Sequence, residues 1–300
     1  MTKENKIKVG FIGIGNMGWP MAMNLFEAGY DLTVFDLDEA RSESFSVECG
    51  ARSAASLAEL GVMDFVITML PDGHVVREVL MKTEGGAFIN NAKPGCVVID
   101  MSSAEPTGTQ ALARDLTEKK VTLIDAPVSG GVPRAKLGTL AIMIGSDDES
   151  VLAAARPLLE AMGAQLFETG GVGAGHATKA LNNLVAATSF VATSEAMLAA
   201  KRFGLDLNTF VDVVNVSTGH NFMTDKVMKD HVIDEQWATG FAMGLLVKDV
   251  GIANELIDAV NMDAPLSRLV NKRWQQALDQ KGFSADNTEA YQVWDALQPE

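Results

Sequence analysis

The chain has 300 residues, 47% of them hydrophobic, which is enough for two sizeable cores. Its formal net charge of −15, from 39 acidic and 24 basic side chains, argues against nucleic acid or an anionic membrane surface as a partner. Met1 to Lys8 is polar and no stretch of about twenty apolar residues runs free of charge, so neither a signal segment nor a membrane span is expected. Two cysteines, Cys49 and Cys96, lie far apart without metal-ligand spacing. That predicts reduced thiols, a cytoplasmic setting and no metal centre.

The first element is an apolar strand, Ile7 to Ile12, running directly into Gly13-Ile14-Gly15-Asn16-Met17-Gly18. A helix-compatible stretch, Trp19 to Ala28, follows and is closed by Gly29; a second strand, Leu32 to Phe35, ends at Asp36. Each piece has a physical task. Gly13 permits the tight strand-to-helix turn, Gly15 lets backbone approach a pyrophosphate, and Gly18 lets the helix pack closely on the strand. The N–H groups of Ile14, Asn16 and Met17 belong to the same turn, where the positive end of the helix dipole favours phosphate. Asp36 is placed to accept from the adenosine ribose hydroxyls, and it repels a 2′-phosphate. Asp38 and Glu39 add negative charge, and Arg41 is the nearest cation. The expected cofactor is therefore NAD, with NADP second.

Short apolar strands then alternate with helical stretches: Asp64 to Leu70, Cys96 to Asp100, Val121 to Asp125, Thr139 to Ile144 and Gln165 to Glu168. This spacing predicts a parallel sheet of about eight strands covered on both faces. The pattern changes at Gly170-Gly171-Val172-Gly173. Neither proline nor glycine other than Gly175 interrupts the segment from Ala174 to Phe203, and Gly204 supplies a stop. Apolar nearly all round, this helix is expected to be buried on most sides and to join two domains. The predicted class is α/β, with an N-terminal doubly wound sheet of Rossmann type over residues 1–172. An all-α C-terminal domain over 173–300 begins with the interdomain helix, with loops around Ser217 to Asn221 and Asp263 to Pro265. Such an apolar helical domain is expected to bury surface in a homodimer or homotetramer.

Three further segments carry chemistry. Asp125-Ala126-Pro127-Val128-Ser129-Gly130-Gly131 follows a strand's carboxyl end, where open α/β sheets bind ligands. Ser129 with the Gly130 and Gly131 amides makes a donor-rich turn suited to a small carboxylate, although a tight turn that binds nothing has the same sequence. In Gly173 to Asn183, Lys179 and Asn183 are four apart and share a helix face. A lysine on an apolar helix that is partly desolvated can exchange protons with an alcohol, and Asn183 can hold the substrate. His176 is a rival base or a supporting residue at the helix start. Lys248-Asp249 is a charged pair inside the apolar run Leu245 to Ile252, and is either functional or a surface pair.

Together these segments resemble the β-hydroxyacid dehydrogenases, typified by 3-hydroxyisobutyrate dehydrogenase. Phe11 to Leu25 is similar to that family's N-terminal signature, and Asp125 to Gly131 to its substrate segment. Gly173 to Asn183 is similar to the start of its catalytic helix, and Lys248-Asp249 to its late lysine motif. The resemblance implies that Lys179 is the general acid/base and that Ser129, Gly130, Gly131 and Asn183 hold the substrate. It also implies that Leu70, Pro71, Ser103 and Lys248 lie against the cofactor. Ser103 stands where many members carry threonine, which keeps the hydroxyl. His220 stands where several carry arginine, which leaves the substrate open among 3-hydroxyisobutyrate, tartronate or succinic semialdehyde, glyoxylate and sulfolactaldehyde types. Imine reductases and non-catalytic dinucleotide-binding proteins are the alternative classes. Imine reductases usually replace the lysine that is present here as Lys179.

Overall fold

Apolar runs buried on both sides need a sheet covered by helices on both faces, and this chain supplies them. The structure is a computed structural model and describes residues 6–82 and 88–298. Its strands are β1 (Lys8–Ile12), β2 (Asp31–Phe35), β3 (Arg52–Ser53), β4 (Phe65–Thr68), β5 (Val97–Asp100), β6 (Thr122–Asp125), β7 (Val128–Ser129), β8 (Leu140–Gly145) and β9 (Gly163–Gly170). They form one nine-stranded sheet in the order β3-β2-β1-β4-β5-β6-β8-β7, with β9 also paired to β8. Strand period two sorts the side chains onto two cores. Ile67, Ile99 and Ile124 join Phe11, Ile14 and Leu25 on one face, while Val66, Val98 and Leu123 join Ile12, Leu80 and Phe88 on the other.

The order reverses at β1, which has β2 on one side and β4 on the other, both parallel to it. That switch point opens a crevice outside the carboxyl ends of these strands, where residues 13–18 and Leu70 lie.

The sheet departs from the sequence reading in two ways. It has nine strands, because β3 and β7 are two-residue pairings too short to leave a period. It is also mixed: β8 runs antiparallel to β6 and β7, then parallel to β9. Only residues 130–139, including the six-residue helix Gly131–Lys136, link β7 to β8. A connection that short returns the chain antiparallel, whereas a parallel crossover needs a dozen residues or more. The fourteen-residue helix Glu149–Met162 supplies such a crossover between β8 and β9.

The chain divides into two compact units, Met1–Lys179 and Ala180–Glu300, with the division inside the 30-residue helix Ala174–Phe203. In the second unit the described elements are helical apart from an isolated bridge, Ala242 with Asp286. Its core is centred on Phe190, Trp274 and Trp294, with ring centroids 5.3–5.9 Å apart. Both indoles are satisfied, Trp274 Nε1 donating to the Ala187 carbonyl and Trp294 Nε1 to that of Arg273.

The long helix is less buried than its composition suggests. Ala187, Phe190, Met197 and Leu198 face the core, but Leu181 is 41% exposed and Val185 65%. Leu266 and Leu269, on the helix Pro265–Lys281, are exposed as well. Among the described residues no helix is long and apolar enough to cross a membrane. Both cysteines are free thiols: Cys49 is half-buried, and Cys96 is sealed in the sheet unit, where burial pushes its thiol up to about 12.

Candidate active site

The turn after β1 needs its glycines for three different reasons. Gly13 has φ +90°, and a Cβ there would lie 2.4 Å from the Met69 carbonyl oxygen and 2.8 Å from Leu70 Cδ2. A Cβ on Gly18 would lie 2.0 Å from the Gly13 carbonyl oxygen. Both positions are therefore closed by the protein itself. Gly15 differs, because among the described residues no atom beyond its immediate chain neighbours lies within 4 Å of where its Cβ would be. The backbone there is bare and faces open space, as close approach by a pyrophosphate requires.

Asp36 braces this turn. Its Oδ2 accepts from the Ile14 N–H at 2.9 Å, and its Oδ1 accepts from Asp38 N–H at 3.0 Å. Arg41 lies 3.3 Å from Asp36 and 3.4 Å from Asp38, so the nearest cation is shared by two carboxylates. Ile14 points into the core, Met17 packs against it, and Asn16 is exposed. Gly13, the bare Gly15 backbone, Gly18 and Asp36 fit a dinucleotide.

Next to the turn, the ends of β4, β5 and β6 converge on a buried polar cluster that sequence reasoning missed. Thr68 Oγ1 donates to Asp100 Oδ1 at 2.8 Å, as does Ser102 N–H at 3.1 Å. The Ser102 hydroxyl in turn accepts from the Leu70 N–H at 2.9 Å. Leu70 is half-buried, Pro71 exposed and Ser103 half-buried.

Asp125, at the end of β6, caps the long helix. Its Oδ1 accepts from Gly173 N–H at 2.7 Å and its Oδ2 from His176 N–H at 2.8 Å. Burial raises the Asp125 carboxyl above its ordinary range, against the pull of His176 and of these two N–H groups, and Asp100 adds to the rise. The glycines opening the helix follow from this packing. A Cβ on Gly175 would lie 2.3 Å from the Met143 carbonyl and 2.8 Å from Asp125 Oδ2.

His176 is 1% exposed. Its Nε2 lies 3.1 Å from the Ser102 carbonyl and its Nδ1 2.8 Å from Thr109 Oγ1. A carbonyl only accepts, so Nε2 carries a proton and Nδ1 can accept from Thr109. With both ring nitrogens engaged in the interior, His176 is out of reach of a solvent-borne substrate as a base. Buried apolar strands each ending in aspartate, Val-Val-Ile-Asp and Thr-Leu-Ile-Asp, were the signal available in the sequence.

Ser129 ends β7 and is half-buried, while Gly130 and Gly131 are exposed. Both glycines have positive φ, +134° and +64°, which favours residues without a Cβ. Lys179 is half-buried in the second turn of the long helix.

In the helical unit, Asn183 is buried and donates to Asp249 Oδ2 at 2.6 Å, while accepting from Asn182. Asp249 is only 3% exposed, so the late charged pair is not a surface feature; Lys248 Nζ lies 3.4 Å from Asp249 Oδ1. The residue that fixes Asn183 is Asp249, which the sequence reading passed over for its neighbour. Among the described residues no three His, Cys, Asp or Glu side chains gather to hold a metal ion.

Fold and turn define a dinucleotide-binding protein of the oxidoreductase kind. Residues 8–171 match the family model of the NAD-binding domain of 6-phosphogluconate dehydrogenase. Residues 173–294 match that of the NAD-binding region of NADP-dependent 3-hydroxyisobutyrate dehydrogenase. The chain belongs to the β-hydroxyacid dehydrogenase family. It is 36% identical to the mitochondrial 3-hydroxyisobutyrate dehydrogenase of Drosophila melanogaster, covering 100% of this chain and 92% of that one. It is 32% identical to 2-(hydroxymethyl)glutarate dehydrogenase of Eubacterium barkeri (98% and 97% covered). Its identity to the NAD-dependent L-serine dehydrogenase of Pseudomonas aeruginosa is 33% (97% and 99% covered). The solved 3-hydroxyisobutyrate dehydrogenase of Mycobacterium tuberculosis with L-serine superposes with a TM-score of 0.87, at 31% identity, covering 96% and 99%. An imine reductase from a Pseudomonas species shares the fold at 17% identity and a TM-score of 0.62.

Proposed function

We propose that this enzyme oxidises a small 3-hydroxy acid of the 3-hydroxyisobutyrate kind to its semialdehyde, or runs the reverse reduction, with NAD preferred over NADP. One observation carries the reading. The end of β6 both caps the helix bearing Lys179, through Asp125, and leads within a few residues to Ser129 and the exposed Gly130 and Gly131. A proton-transfer group and a carboxylate-binding turn thus spring from one strand end.

In this reading Ser129 and the Gly130 and Gly131 amides receive the substrate carboxylate, and Asn183, held by Asp249, orients the hydroxyl. Gly13–Gly18 and Asp36 would hold NAD, which would supply the acceptor for the hydride of the carbinol carbon. Lys179, as the neutral amine, accepts the hydroxyl proton while the carbonyl forms; as the ammonium it returns that proton in the reduction. Leu70, Pro71, Ser103 and Lys248 complete the cofactor side. The three substrates in the relatives' names support the choice, since each has a hydroxymethyl group on a carbon bearing a carboxylate. A cytoplasmic setting agrees with two unpaired cysteines. Self-association through the helical unit agrees with the exposed Leu181, Val185, Leu266 and Leu269.

The test is a spectrophotometric panel of 3-hydroxy acids and semialdehydes with NAD(H) and NADP(H). The best acid should exceed its methyl ester in kcat/KM by about 10- to 100-fold, the worth of one hydrogen bond to a charged group. Equal turnover of acid and ester would overturn the carboxylate assignment.

Cofactor choice has its own test. Asp36→Arg should move the NAD-to-NADP ratio of kcat/KM toward NADP by at least about tenfold, or ~1.4 kcal/mol. A parent enzyme already favouring NADP would reject the role given to Asp36.

A further inference from the structure

We propose that His176 is a positioning residue: it locks the helix carrying Lys179 to the loop that follows β4, through a buried chain of hydrogen bonds. The proposal rests on Lys179 being the proton-transfer group of the reading above.

The chain is continuous within the sheet unit. Leu70 N–H donates to Ser102 Oγ, and Ser102 N–H to Asp100. The Ser102 carbonyl meets His176 Nε2, and the His176 backbone N–H reaches Asp125. Thr109 Oγ1 meets His176 Nδ1 and also lies within donating distance of the Glu105 carbonyl. Thr68, Asp100, Ser102, Thr109, Asp125 and His176 are all buried, with Asp100 and Asp125 each carrying a carboxylate within 4 Å of the imidazole.

Polar groups are a poor choice for stability alone in such a place, because an apolar core of the same volume avoids their desolvation. They do fix a register that packing leaves loose. The cluster admits one arrangement of the helix start. A Cβ on Gly145 would lie 2.4 Å from Asp125 Oδ1, and one on Gly175 would lie 2.8 Å from its Oδ2. Lys179 is three residues beyond His176, so a rotation or slip at His176 is transmitted to the lysine about one turn later. Leu70, at the far end, belongs to the segment whose Cδ2 lies against Gly13 of the dinucleotide turn. His176 therefore ties a cofactor-side loop to the proton-transfer helix from a position sealed in the interior.

The experiment compares full-length His176→Leu and His176→Gln with the parent enzyme. Glutamine keeps an N–H able to reach the Ser102 carbonyl; leucine keeps only volume. NADH affinity is read by fluorescence titration, kcat is expressed per NADH-binding site, and the deuterium isotope effect is measured with 4-deuterated NADH. For His176→Leu, kcat should fall by about 10- to 100-fold, the cost of roughly 1 Å of misplacement at a reacting centre. NADH affinity should be nearly unchanged, and the isotope effect should rise as hydride transfer becomes limiting. His176→Gln should recover most of the loss. A leucine variant with parental kcat per site, or a glutamine variant no better than leucine, overturns the proposal, as does a loss confined to the fraction of sites that bind NADH.

If His176→Leu does not fold, Ser102→Ala tests the same chain by releasing the Leu70 N–H. It should lower kcat per site and raise the isotope effect, and a parental value of both refutes the tie. Lys179→Ala separates the two readings. If it stays active, the proton-transfer role itself falls; if it is inactive while His176→Leu turns over normally, only the positioning role falls.

Discussion

Lys179→Ala should leave the protein folded and able to bind NADH while slowing the chemical step by about 10² to 10⁴, the usual worth of a positioned general acid or base. The reasoning starts from what the side chain does not do. Lys179 belongs to neither of the sheet unit's apolar cores. The glycine turn proposed to take the phosphates is built around Gly13, Gly15 and Gly18, braced by Asp36. Removing the amine takes away the proposed proton carrier and leaves both cores and the glycine turn in place. Lys179→Arg should fail to restore the rate, because guanidinium does not release its proton in the working pH range. Single-turnover reduction with pre-bound NADH measures the step directly. A rate for Lys179→Ala within about threefold of the parent lies far below the range expected of acid–base catalysis and would remove the lysine from the mechanism.

A second large effect should appear at the glycine turn, where two neighbouring substitutions ought to behave oppositely. Gly15→Ala adds a methyl group into open space, without a positive φ to oppose it. The unfolding temperature should stay where it is. NADH should bind more weakly by about 5- to 150-fold, since a methyl group against the pyrophosphate is an overpacked contact of ~1–3 kcal/mol. Gly18→Ala puts its Cβ 2.0 Å from the Gly13 carbonyl oxygen, a backbone atom that cannot swing aside. That variant should lose stability before any ligand is added, by at least ~1–3 kcal/mol. In chains of 150–250 residues each kcal/mol is about 2–4 °C of melting temperature. Thermal scans with and without NADH distinguish the two outcomes. Parental NADH affinity in Gly15→Ala would mean that the pyrophosphate does not lie over that backbone.

What the sequence displayed, and what it hid, divides by the range of the interactions involved. The glycine turn, Asp36 and the Lys179–Asn183 spacing are local patterns, and β1, β2, β4, β5 and β6 are buried on both faces, so each reads as an apolar run. β3 and β7 were hidden because two residues have no period. The direction of β8 was hidden along with β7: without that strand, the stretch from Ala126 to Gly138 is long enough for a parallel crossover. Burial of the long helix was overestimated because alanine is at home on either side of it. The contacts that organise the site were beyond reach of local pattern. Asp125 meets Gly173 and His176 across 48 and 51 residues, and Asn183 meets Asp249 across 66. Buried aspartates at strand ends hint at such clusters without naming their partners.

The two cysteines give the molecule a natural handle for site-specific labelling. Burial pushes the Cys96 thiol up to about 12, which keeps it protonated at neutral pH, and thiolate is the reactive form. With its sulfur also fully enclosed, Cys96 is chemically silent for as long as the sheet unit stays folded. Cys49 is half-buried at the end of the helix Glu39–Cys49, which begins three residues after Asp36. A maleimide dye should therefore attach at Cys49 alone, placing one fluorophore on the helix that follows Asp36. Incorporation of a second dye would then report unfolding of the sheet, without any engineered residue.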